Sequence, residues 1–145
     1  MAISQAVCSV FKRELLKGNH DFDGTGSVAY YIALYTSSAT LGAATTAYSS
    51  SNEVSNSSGS AYSAGGKALT SPTVTLSGTT AFADFADVSW TSASFTANGC
   101  LIYNDTQSDK ACAVIAFGGD FTASNGTFTI QFPAAGGGSE IIRLG

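Results

Sequence analysis

Three groups of side chains carry reactive atoms at spacings worth weighing. His20 is the only histidine and stands beside Asp21 and Asp23. An imidazole with two carboxylates can hold a cation weakly, but the same residues suit a solvated connection in which Asp side chains close turns, and residues 19–27 are read that way. Asp84 and Asp87 would make paired carboxylates for acid–base work, yet no His, Arg or third acid stands with them. Cys8, Cys100 and Cys112 are odd in number and lack CxxC spacing, so neither a disulfide framework nor a zinc motif is written here. They read as small buried thiols. There is no GxSxG elbow, HExxH, Walker A loop or GxGxxG after a strand. The expectation is no catalytic, cofactor-binding or metal-binding residue and no enzyme. Catalysis would require His20 or the Asp84/Asp87 pair to sit in a concave pocket.

The elements that would position these residues are mostly strands. Residues 91–120 read as a hairpin: two apolar runs joined by a turn-rich connection at 104–110, with both faces apolar from Cys100 onward and through 111–117. This pair is expected at the middle of the core. Residues 28–36 form a second strand of the same kind, with Tyr30, Ile32 and Leu34 on one face and Tyr31, Ala33 and Tyr35 on the other. Short strands follow at 67–70, 74–76, 79–90, 126–132 and 140–144, with Pro72 and Pro133 as breaks and a loose connection at 136–138. Between them, residues 37–66 make a Ser/Thr/Ala/Gly-rich excursion, expected as ordered coil pinned on the sheet by Leu41, Tyr48, Val54 and Tyr62, with mobile tips at 49–51 and 55–60.

At the start of the chain, apolar residues recur every three or four positions over residues 2–16, which predicts one amphipathic helix stopped by Gly18. The organisation expected is therefore an N-terminal helix over 1–18 and a single domain over 19–145: mainly β, an antiparallel β-sandwich, jelly-roll-like or Ig-like. Ile3, Val7, Phe11 and Leu15 form the stripe of that helix. If the strands bury one another, this stripe needs a neighbouring subunit, so these four residues are the expected assembly interface of a homo-oligomer.

Composition narrows the partners. Charged residues are 11% of 145, under half the usual share, and the remaining polar surface is small and neutral. That suits a protein that packs against neighbours or lives outside the cytosol, and equally a plain Ser/Thr-rich β protein. A net charge of −4 with scattered basic residues argues against nucleic-acid binding. No run approaches the roughly 18 apolar residues of a membrane span, and no signal-peptide pattern is present.

Several segments taken together resemble a family of small tailed-bacteriophage structural proteins: FKRELLKGNHDF, YIALYTSSATLG, TTAYSSSNEVSNSSGSAYSAGGKALT, TAFADFADVSWTSASFTANGCLIYND and FTIQFPAAGGGSEIIRL. The likeness covers nearly the whole chain. It implies a virion component rather than an enzyme, assembled in the host cytoplasm, with no cofactor, with major capsid or tail proteins as partners and, because shell and tail attachment sites often carry local threefold or sixfold symmetry, with a trimer as the expected homo-oligomer. A capsid cement or decoration protein is the first expectation. The second is a tail, baseplate or fibre-associated module touching host glycans through aromatic residues on exposed loops.

Overall fold

A computed structural model describes residues 2–23, 28–133 and 141–144. Among them the order is β1 (Ala6–Val7), α1 (Ser9–Leu16), β2 (Tyr30–Tyr35), β3 (Lys67–Ala68), β4 (Thr73–Ser77), β5 (Thr80–Asp84), β6 (Val88–Asn104), β7 (Lys110–Ile130) and β8 (Ile142–Leu144). The protein is mainly β: a five-stranded antiparallel sheet ordered β1-β7-β6-β2-β3 and a three-stranded antiparallel sheet ordered β4-β5-β8. The connection at 136–138 and Glu140 lie outside the described residues, as does the 24–27 end of the loop after the helix.

The β6/β7 hairpin is the middle of the large sheet, as the doubly apolar runs predict. It turns through a short 3₁₀ segment at Asp105–Gln107, where the Asn104 side chain accepts from the Gln107 amide, followed by Ser108 and Asp109 at positive φ. Residues 111–117 and 126–130 are not two strands but parts of β7, which runs for 21 residues against the 17 of β6, and Gln131 and Phe132 lie beyond its end. Ladders this long must bend, and bulges supply the bends. Ala97 pairs with Phe121 but Gly99 with Ala116, so Phe117 to Asp120 loop out, with Gly118 at φ +83° and Asn98 donating to the Asp120 carboxylate at 2.8 Å.

One face of the central strands is covered by the excursion over residues 37–66, which is built as expected on its apolar pins. Val54 and Tyr62 are buried, and Tyr48 stacks on Tyr103 at 4.9 Å. Ser60, read as part of a mobile tip, is buried as well, and its carbonyl accepts from Ser94. The hub of this cover is Glu53. Its carboxylate accepts from the Tyr48 hydroxyl at 2.7 Å, the Tyr62 hydroxyl at 2.6 Å and the Gly65 amide at 2.8 Å, while Tyr62 in turn accepts from the Leu34 amide at 2.9 Å. Burial, with Glu53 beside it, pushes the Tyr48 phenol up to about 12, so it stays a neutral donor at ordinary pH. Glu53→Ala orphans three donors, and the expected loss is about 2–4 kcal/mol, read as a lower urea midpoint at unchanged slope.

The helix begins later than the apolar spacing suggests. Ile3 makes a bridge to Leu41, and Ala6 and Val7 pair with Val114 and Ala113 at the edge of β7, so these residues are extended rather than helical. The periodicity of residues 2–16 is a β segment followed by a helix, because pairing with residues distant in sequence outweighs local propensity. Its end is as expected. Gly18 at φ +78° donates to Leu15 and Asn19 donates to Glu14, the two bonds of a Schellman cap.

Candidate docking surface

The four residues expected as an interface do not share one stripe. Phe11 is buried inside this chain, against His20 at 4.7 Å and Phe22 at 5.8 Å between ring centroids. Ile3, Val7 and Leu15 are partly buried and pack on the same core. The helix is thus itself a cover of the large sheet, and the premise that the strands bury one another without it does not hold.

His20 is not in a solvated loop. It is buried among Phe11, Phe22 and Tyr30. The loop folds inward because Asn104, whose oxygen already accepts from Gln107, turns its amide nitrogen to His20 Nδ1 at 2.9 Å and to the Asn19 carbonyl at 3.2 Å. That makes Nδ1 the acceptor and leaves the proton on Nε2, which is buried without a partner. Cys112 Sγ lies 4.0 Å from Nδ1. Burial pushes the Cys112 thiol up, and burial pushes the imidazole down, against the pull of Glu14 and with help from Lys110. This is the reverse of the thiolate–imidazolium pair that nucleophilic cysteines use.

All three thiols are free and buried. Cys100 stands opposite Ile115, whereas Cys112 accepts from the Cys8 amide at 2.9 Å, so the hairpin does not place Cys100 against Cys112. Asp84 and Asp87 do not converge either: Asp84 accepts from the Phe85 amide and Asp87 from the Phe132 amide, each at 2.9 Å. They hold backbone.

The buried ionisable groups make stability depend on pH. The folded state keeps His20 below its ordinary 6.5, so under acid the unfolded chain binds the extra proton and stability falls as pH drops from 6.5 through the lowered folded value. Burial pushes the Glu14 carboxyl up, but hydrogen bonds from Asn19, Arg13 and Lys17 outweigh it and bring it from 4.5 down to about 2, adding a second loss as pH falls across that interval. Thermal melting against pH is expected to fall in two stages, and His20→Phe is expected to remove the upper stage alone.

The open apolar surface lies where the small sheet meets the helix. Register and alternation put Val74, Leu76, Ala81, Ala83, Ile142 and Leu144 on one face of that sheet. Ala83 and Ile142 are buried, but Val74 is 53%, Leu76 71% and Leu144 53% exposed. Between this face and the helix runs a groove of about 400 Å³, walled by Phe11, Leu15, His20 and Phe22, with Asp21 and Asp23, on one side and Val74, Ile142 and Leu144 on the other, so His20 does border a concavity. Leu16, next to the groove-lining Leu15, is 92% exposed. A second groove of about 760 Å³ follows β1 and β7 past Val7, Ile115, Phe117 and the half-exposed Phe121. Of the four expected interface residues, Phe11 and Leu15 line the first groove and Val7 the second. The residues that carry the exposed apolar area, Leu16, Val74, Leu76, Phe121 and Leu144, are not among the four expected from sequence. For Val74 and Leu76 the signal is the alternation T-V-T-L-S, in which every second residue is apolar.

Comparison with family models, with curated proteins and with solved structures finds no match for this chain.

Proposed function

We propose that this chain is a bacteriophage virion structural protein, a capsid cement or decoration protein that docks on the major capsid protein and acts as a homo-oligomer without catalysis. The observation that carries the reading is the exposed apolar face of the small sheet, Val74, Leu76 and Leu144, on a molecule whose remaining surface is largely uncharged. Apolar area of this kind is characteristic of protein contacts, and small neutral polar groups around it cost little to desolvate. The resemblance of several sequence segments to small phage structural proteins is what supports placing it in a virion. The alternative, a tail or baseplate module gripping host glycans with loop aromatics, gains nothing from the excursion, since Tyr62 is buried and Tyr48 stacks on Tyr103. Copy number per purified particle, measured by quantitative peptide mass spectrometry, separates the two: hundreds for a cement protein, a small multiple of three or six for a tail part. Absence from the particle rejects both.

A further inference from the structure

The two sheets end in strand edges, and most are blunted in the usual ways. Those of the large sheet, β1 and β3, are two residues each, and β3 carries Lys67. In the small sheet β8 is three residues with Arg143 at its centre. β4 differs. It is five residues long, exposed throughout, uncharged, and among the described residues hydrogen-bonds to β5 alone. Pro72 before it and Gly78 at φ +60° after it limit the open edge to these five residues.

The order of residues on this edge, Thr73-Val74-Thr75-Leu76-Ser77, reads alike in both directions by size and polarity. Laid antiparallel on a second copy with Thr75 opposite Thr75, Val74 of each chain faces Leu76 of the other, and Thr73 faces Ser77. The result is two apolar cross-strand pairs, a central hydroxyl pair and no charge to repel the copy, the arrangement that favours antiparallel pairing. We propose that β4 is the contact through which two copies of this chain join, about a two-fold axis at Thr75, merging two three-stranded sheets into one of six strands. This differs from the threefold, helix-centred assembly expected from sequence, and it does not depend on the virion reading. An isologous contact of this kind closes on itself and leaves no open edge for further growth.

The test is the mass of the full-length protein by sedimentation equilibrium over micromolar concentrations. A dimer is expected, twice the chain's 14.7 kDa. Thr75→Lys sets two like charges directly opposite each other at the axis and is expected to weaken the dimer about tenfold or more, as is Thr75→Glu. Mixing the two variants is expected to restore a dimer, since opposite charges then meet. In parallel, hydrogen exchange on the wild-type protein is expected to show protection of the Thr73–Ser77 amides rising with concentration, a readout that no variant's folding can disturb. A monomer throughout the range, a trimer, a Thr75→Lys protein that dimerises as wild type does, or exchange at β4 independent of concentration would each overturn the proposal.

Discussion

Gly66→Ala is expected to melt far below the wild-type protein. Gly66 has φ +82°, and a Cβ placed there would come within 1.8 Å of the Ile32 carbonyl oxygen and 2.8 Å of Ala33 Cα. This is the point where the excursion returns to the sheet, one residue before Lys67 pairs with Ile32. The obstacle is the backbone of a central strand, which cannot swing aside as a side chain would. Left-handed strain costs about 1–2 kcal/mol for a non-glycine residue, and forcing strands apart adds about 1–3, so the expected loss is about 2–5 kcal/mol against a total of about 5–15. Gly78→Ala is the control. It has φ +60° but open space around it, so strain alone applies, and its melting temperature should drop only slightly. If Gly66→Ala melts as Gly78→Ala does, the return path of the excursion is not the one described.

Ile32→Asp is expected to give insoluble protein. Ile32 is fully buried on β2, paired with Ile102 of β6 on one side and Lys67 of β3 on the other. Lys67 offers no rescue, because its ammonium already donates to the Ser89 carbonyl and lies over the Trp90 ring. An unpaired carboxylate there costs several kcal/mol, most of what such a domain has. Ile32→Val, by contrast, should cost about 0.5–1.5 kcal/mol. Soluble Ile32→Asp protein with a cooperative melt would mean that β2 is not central.

How legible each part was follows from how local its cause is. The hairpin could be read because both arms are apolar on both faces and the turn chemistry lies in the 104–110 stretch itself. The pins of the excursion could be read because large apolar side chains in a polar stretch have few places to go. The start of the helix could not. Ile3 and Val7 sit at helical spacing, and only their pairing with Leu41 and Ala113, far away in sequence, makes them extended. His20 was misread for the same reason, since Asn104, 84 residues on, draws it inward. Glu53 did leave a signal: it is the only charged residue between 37 and 66, and a lone acid among tyrosines in a neutral stretch has a reason to be there. For the candidate surface, alternation over Thr73–Ser77 marked a strand, but which of its faces and edges stay open depends on where the helix and β8 lie, and no local pattern encodes that.

The central claim is that this chain is part of a virion, held there by the apolar face of its small sheet. Cryo-electron microscopy of virus particles purified from cells in which the genome carrying this gene is expressed tests it most directly. The account predicts that the chain is found on the shell in many symmetry-related copies, with Val74, Leu76, Leu144 and Leu16 turned into protein contacts. A particle map that accounts for every shell and tail density without this chain would contradict the claim, as would a bound copy whose small-sheet face points to solvent.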